Sequence, residues 1–271
     1  CHSFGCIGCH YFCFVTIYSE QQKKIKDKLR DNNFYYIENN EDYNIKSPND
    51  IVNFRNFYEF LNENYYVLNC TSNNVFMLSE NLSYDLQNQS LTKMNFNNKE
   101  FSAFRGYCIN QNFIDYFNLE LSSGNFFANE DFYNDNTDNY IPVILGFSFS
   151  SYFNIGDEIE IKDFFDDDYY KKIKVIGFLE KDEYIINKPI MLTKMESLDY
   201  SILLPNKSLS STAIDLDNSK IINKITTNIY KNITESYLIL NNHSDIDNIK
   251  NEALNTNFFD ITVASSDRDI D

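Results

Sequence analysis

Tryptophan is absent from the 271 residues, and glycine (7), proline (4) and histidine (3) are scarce. Without Trp, and with 24 Phe and 20 Tyr, the core is expected to be built from Phe, Tyr and Ile. Basic residues are also in short supply: 23 Lys and Arg stand against 40 Asp and Glu, a formal charge of −17. A field of that sign repels nucleic acid and anionic lipid surfaces and helps keep an exposed domain soluble. No basic patch interleaved with aromatics occurs outside residues 23–30, so nucleic-acid binding is set aside. No G-x-x-x-x-G-K-S/T loop exists to cradle phosphates, so any ATP-driven role must borrow its ATPase from another polypeptide. His243 is the only histidine beyond the first ten residues, and no Ser or Cys nucleophile can be assigned to it. No catalytic residue is therefore expected, and the chain is read as a non-enzyme.

Long apolar runs are missing too. Gly5 to Tyr18 is mostly apolar but falls short of the roughly 20 residues that span a bilayer, and it lacks the basic leader of a signal peptide. Phe14, Tyr18, Ile25 and Leu29 lie near helical spacing, which joins this stretch to the charged segment after it in one helix. Residues 1–19 are thus expected to be the end of a transmembrane helix. The chain opens on Cys1 rather than Met and is read as a piece of a longer product.

What the terminus does have is cysteine. Cys6-Ile7-Gly8-Cys9-His10 is a C-x-x-C-H match of the kind that attaches c-type haem. With Cys1, His2 and Cys13 nearby, thiolate and imidazole could also suit zinc. The cluster sits inside the apolar run with no second ligand motif downstream, so Cys6, Cys9 and His10 remain candidates only, and no cofactor or metal is assigned. Cys70 and Cys108 either pair, if the domain faces an oxidising compartment, or are two small buried hydrophobes. The acidic loops Glu130–Asn139, Asp166–Asp168 and Asp267–Asp271 lack the ordered oxygen-ligand spacing and Gly of a calcium loop, and are read as solvated.

Secondary structure is legible along most of the chain. Phe34–Ile37 reads as an aromatic strand. Ser47-Pro48-Asn49-Asp50 is a helix start, after which Ile51, Phe54, Phe57, Tyr58 and Leu61 mark one buried face. Tyr65–Asn69 and Asn74–Leu78 are strand candidates, and 79–100 looks like an irregular connection. Arg105 to Glu180 holds five of the glycines: a strand, a small aromatic helix, a turn at Gly124, a buried strand, a turn at Gly156, then two alternating strands joined by a hairpin tip at 163–170. Beyond Pro189, strands at Tyr200–Leu204, Tyr237–Leu240 and Phe259–Val263 alternate with helices marked by Ile221, Ile222, Ile225 and Ile229, and by Ile246, Ile249, Ala253 and Leu254. The second of these helices is given a capping-box start at Ser244.

The central skeleton resembles the extracytoplasmic domain of MacB-like (FtsX-type) ABC transporter permeases. The matching residues are Tyr116-Phe117, Leu119, Leu121, Gly124, Phe127 and Glu130-Asp131, then Pro142-Val143-Ile144-Leu145-Gly146. They continue with Gly156, Ile159, Ile161, Val175-Ile176-Gly177, Ile202–Pro205 and Val263–Ser265. Asn125 stands where that family often has Arg, and residues 66–100 match nothing in its pattern, so no binding residue is carried over. A binding surface, if one exists, is expected in that unmatched segment.

The resemblance implies an α+β fold: a porter-like β-α-β half, a mixed sheet with helices on one face, interrupted by a second, mainly β subdomain. It implies porter-like parts at about 20–70 and 190–266, an insertion at about 71–189, and a tail at 267–271 leading to the next span. It further implies a location on the outer side of a cell membrane and no catalysis by the domain itself. The partners implied are a cytoplasmic ATP-binding subunit, a second permease, and an extracytoplasmic protein or peptide substrate. A haem or metal protein built on Cys6-x-x-Cys9-His10, and a secreted binding module, are the alternatives.

Overall fold

A computed structural model describes residues 34–39, 48–133, 140–162, 170–186, 195–207, 219–258 and 260–265. The apolar terminus with Cys6, Cys9 and His10, the hairpin tip at 163–169, residues 134–139 and the tail from 266 lie outside them.

Two sheets carry the architecture, and the α+β class is as expected. The smaller has the order β14 (Ile261–Ser265), β1 (Phe34–Asn39), β13 (Tyr237–Ile239), β2 (Tyr66–Leu68). All its pairings are antiparallel. Successive side chains of a strand point to opposite faces, and this sheet buries both. Tyr35, Ile37, Val67, Leu238 and Val263 face one way; Phe34, Leu68 and Tyr237 face the other.

The first face is covered by three helices: α1 (Pro48–Asn64), α5 (Ser219–Thr234) and α6 (His243–Asn255). In α1 the expected stripe of Ile51, Phe54, Phe57, Tyr58 and Leu61 is buried throughout. The rings of Phe54 and Phe57 each lie 4.8 Å from that of Phe258. Helix α6 starts earlier than the expected Ser244, because the Asp245 carboxylate accepts the backbone N–H of Asn242 at 3.0 Å and so fixes the first turn. Ile249 and Ala253 are buried as expected, but Leu254 is 62% exposed. It lies about 100° round the helix from Ala253 and falls off the apolar face.

The larger sheet is mixed and closes on itself. Its order is β12 (Ser201–Pro205), β7 (Tyr140–Leu145), β9 (Tyr170–Leu179), β8 (Glu158–Lys162), β3 (Cys70–Leu78), β5 (Lys99–Ile109), and β12 pairs with β5 to complete the ring. Strands β4 (Thr92–Phe96) and β6 (Leu121–Gly124) are attached at β5 and β9. The interior is filled by Val75, Met77, Phe104, Val143, Leu145, Ile159, Ile161, Ile173, Val175, Phe178 and Ile202, with Phe149, Leu82 and Leu86 among them from the connecting turns. A small barrel of this kind is a packed core without a channel. Strand β12, which a domain boundary at 190 groups with the smaller sheet, is hydrogen-bonded between β5 and β7 in the barrel.

The segment 79–100, expected to be irregular, contains a 3₁₀ turn at Ser79–Asn81, helix α2 (Tyr84–Gln87), β4 and a tight hairpin to β5. Asn97 and Asn98 both take positive φ, 47° and 63°, as a two-residue hairpin turn requires. Gly124 does more than turn the chain. It lies in β6 opposite Gly177 with φ +87°, and a Cβ there would run into the Ile176 carbonyl and the Gly177 Cα.

The two sheets share a third apolar cluster. Phe34, Leu68 and Tyr237 from the small sheet meet Tyr107, Ile109, Ile144, Leu179 and Leu203 from the barrel's outer face, together with Phe113, Ile114 and Phe117 of α3 (Gln111–Phe117). The Asn110 side chain accepts the Phe113 N–H at 3.0 Å to start α3, and Asn118 in the left-handed region ends it.

Candidate functional site

Strand β5 has β3 along one edge, from Phe101 to Ile109. Its other edge is divided: β4 pairs with Lys99–Ala103, and β12 with Arg105–Ile109. At the handover a cavity of about 250 Å³ opens, lined by Gln89, Leu91, Phe104, Arg105, Tyr107, Glu196, Ser197, Tyr200 and Ser201. One wall is residues 87–91, which hydrogen bonds hold in place. Leu91 N–H donates to Ala103 O at 2.8 Å, and Gln87 Nε2 donates to Ser79 O and Leu82 O at 2.8 and 3.0 Å. This wall belongs to the segment that the family pattern does not match.

The opposite wall comes from β11 (Met195–Ser197), which pairs with β10 (Tyr184–Ile186), and from the turn into β12. Arg105 and Tyr107 are two apart in β5, so both point out of the barrel toward this space. The buried Tyr107 hydroxyl donates to Glu196 Oε2. Burial first, and then the Glu196 carboxylate, pushes the Tyr107 phenol well above its usual range, so it stays a donor. Arg105 is half-buried, and among the described residues its guanidinium has no hydrogen-bond or ion-pair partner.

A second polar group lies where α5 meets the barrel. Glu235 accepts the Ser72 N–H at 3.1 Å, while Lys231 Nζ reaches Ser72 O at 3.4 Å and Asn73 Oδ1 at 3.3 Å. Close by, asparagines fill the points where the chain passes between the sheets. Asn69 Nδ2 donates to the buried Tyr58 hydroxyl at 3.3 Å, Asn232 Nδ2 to Asn206 Oδ1 at 3.2 Å, and Asn110 Nδ2 to Val67 O at 2.8 Å. These bonds fix the two crossings, and among the described residues they leave Asn69 Oδ1 and Asn206 Nδ2 buried without a hydrogen-bond partner.

Cys70 and Cys108 are free thiols. In the β3–β5 ladder Cys70 lies opposite Ile109, and Cys108 opposite Thr71. Neighbours offset by one point to opposite faces, so this pair cannot form a disulfide without unpairing the strands. Burial pushes both thiols up, which makes them poor nucleophiles.

His243 is the first residue of α6 and is not among the residues that line the cavity. Asp131, in the acidic stretch after Phe127, accepts the Ala128 N–H at 2.8 Å and so shapes the start of α4 (Asn129–Tyr133). Among the described residues no three His, Cys, Asp or Glu come together as a metal site, and no described helix is long and apolar enough to cross a membrane. Sequence reasoning missed Arg105, Tyr107 and Glu196. Only the Arg-x-Tyr spacing on one face of a strand was available to signal two of them.

Solved structures similar to this chain include the periplasmic or extracellular regions of two proteins and a domain of a third. The periplasmic region of MacB from Actinobacillus actinomycetemcomitans is 14% identical with a TM-score of 0.46, covering 90% of this chain and 95% of its own. The extracellular domain of the noncanonical ABC-type transporter YknZ from Gram-positive bacteria is 12% identical with a TM-score of 0.42, covering 86% and 98%. A domain of a permease-like protein from Porphyromonas gingivalis is 13% identical with a TM-score of 0.35, covering 76% and 80%. No protein-family model and no curated protein matches the chain. At these values the likeness is one of general kind, and the functional reading below rests on the chain's own topology.

Proposed function

We propose that this chain is the extracytoplasmic domain of an ABC transporter permease, in which it has no catalytic role. On this reading it couples ATP hydrolysis by a cytoplasmic partner to export, substrate release or activation of a partner outside the membrane. Residues 34–68 and 219–265 form the porter-like half, and 70–205 the inserted subdomain. One observation carries the reading. The small sheet is built from both ends of the described chain, and Tyr35 of β1 lies directly opposite Ser265 of β14. Paired residues of adjacent antiparallel strands have Cα atoms only about 5 Å apart. A domain whose entry and exit lie side by side can be inserted between two neighbouring membrane spans without distorting either. The sequence skeleton from Tyr116 to Gly177 supports the same placement.

The test is topology in the full-length protein. Tyr84 is 77% exposed on α2, and a Tyr84→Cys variant in intact cells should react with a membrane-impermeant maleimide, measured against the parent protein. The full-length protein should also copurify with a nucleotide-hydrolysing subunit. Labelling that appears only after lysis overturns the reading.

A further inference from the structure

Buried side-chain polar atoms without a partner are rare in folded chains, and each one calls for a physical explanation. Among the described residues there are three: Asn69 Oδ1, Asn206 Nδ2 and the Tyr237 hydroxyl. All three lie at the junction of the two sheets. Asn69 is the residue between β2 and β3, where the chain enters the barrel, and Asn206 follows β12, where it leaves. Tyr237 belongs to the apolar cluster that both sheets share.

The two asparagines have a common neighbour. Asn69 Nδ2 donates to the Tyr58 hydroxyl at 3.3 Å. Asn206 lies close enough to the same hydroxyl to hold its phenol down against the larger, raising effect of burial. Tyr58 comes from α1, so three elements converge on this point. Asn69 is fully buried and Tyr58 nearly so. The two orphan atoms are complementary, one a carbonyl oxygen that accepts and the other an amide nitrogen that donates. They do not reach each other, since neither has any partner.

Turning an amide over does not remove the mismatch. Asn206 Oδ1 accepts from Asn232 Nδ2 at 3.2 Å, so a reversed Asn206 sets donor against donor. A reversed Asn69 presents its oxygen to the Tyr58 hydroxyl and leaves its nitrogen as the orphan instead. Left unmet, each atom carries its full desolvation cost.

We infer that one internal water molecule bridges Asn69 Oδ1 and Asn206 Nδ2, beside the Tyr58 hydroxyl, as a fixed part of the fold. Water donates to the oxygen and accepts from the nitrogen at once, and keeps a further position for the phenol. Buried waters make about three hydrogen bonds, and three groups are offered here. A metal cation would meet the amide N–H and be repelled, and an apolar occupant would satisfy neither orphan. The bridge joins the entry of the chain into the barrel to its exit, with α1 as the third member. It stands independently of the transporter reading, since it concerns the isolated chain and not its membrane topology.

The test is a crystal structure of the 271-residue chain at a resolution that shows ordered water. Density for one water should lie about 2.7–3.2 Å from both Asn69 Oδ1 and Asn206 Nδ2. In solution, the Asn206 side-chain amide should show magnetic cross-relaxation with water of the sign that marks long residence. Proton exchange through the Tyr58 hydroxyl gives the same signal, so the measurement is repeated in Tyr58→Phe, where the signal should persist. Asn69→Leu removes the acceptor, and both the density and the cross-relaxation should be lost. Should Asn69→Leu fail to fold, the wild type and Tyr58→Phe still decide the matter. No density between the two asparagines, direct bonds from them to each other or to other protein groups, or a signal that vanishes with the Tyr58 hydroxyl overturns the inference.

Discussion

The barrel and the helix-covered sheet solve the same problem of burying an aromatic-rich chain in opposite ways. The barrel uses one continuous stretch, Cys70 to Pro205, and its ring leaves no open edge along the six closing strands. Its core alternates along each strand and is aliphatic apart from Phe104, Phe149 and Phe178. The smaller sheet draws its strands from both ends of the chain, so β1 and β14 meet only after the whole barrel has been passed. Its helical layer is dense in rings, with Phe54, Phe57, Phe60, Tyr230 and Phe258 in mutual contact. The barrel closes across spans of about a hundred positions, β12 to β5, whereas β1 and β14 are joined across the whole described chain, so the loop-closure entropy is somewhat larger for the small sheet. The small sheet carries the cost of the insertion, and its ring contacts offset that cost.

The comparison can be broken first by cavities. Phe57→Ala and Phe149→Ala each remove a fully buried ring and should cost about 3–5 kcal/mol. Hydrogen exchange should localise the damage. Phe57→Ala should expose amides of β1, β13 and β14 while β3, β5 and β9 keep their protection, and Phe149→Ala should do the reverse. Simultaneous loss everywhere would mean that the shared cluster around Tyr107 and Tyr237 welds the two into one cooperative unit.

Alkaline pH offers a second handle. Burial pushes the Tyr58 phenol up from 10.0 to about 12, against lowering by its Asn62, Asn206 and Asn69 partners. The unfolded chain therefore gives up this proton first. The resulting stability is fully present below pH 10 and is lost as pH rises to about 12, a change of about 2–3 kcal/mol. Denaturation of wild type and Tyr58→Phe across that range should differ in slope, and equal slopes would show that the phenol titrates normally.

Close backbone approach gives a smaller effect. A Cβ on Gly146 would meet the carbonyls of Leu198 and Asp199, so Gly146→Ala should cost about 1–3 kcal/mol, all of it in barrel protection. Last, Asp245→Ala frees the N–H groups of Asn241 and Asn242 at the start of α6. It should cost about 1 kcal/mol, seen as faster exchange in α6 alone.

Helices and buried strands were legible because their periodicity is strong: α1 shows its stripe in sequence, and β8 and β9 show theirs. The hairpin of β4 and β5 was not, because β4 is wet on most of its length and its turn, Asn97-Asn98, is hidden in a chain where Asn is everywhere. The ring closure was hidden for another reason. The parallel pairing of β12 with β5 joins residues about a hundred positions apart, and no local pattern encodes it. Arg105, Tyr107 and Glu196 escaped for the same cause: Glu196 reaches the pair only through that non-local fold. Of the segment that the family pattern does not match, Gln89 and Leu91 line the cavity beside β5.

The pairing of β1 with β14 also fixes how the domain responds to force. Tyr35 and Ser265 form the first rung of that ladder, so pulling the two chain ends apart loads one rung at a time, as a zipper opens. Moving both ends together loads none of them and carries the whole body as one piece. Tension between the outer ends of these two strands would thus be relieved by peeling β14, while β1 stays bonded to β13. The ladder offers no resistance to common motion of its two strand ends and yields to their separation.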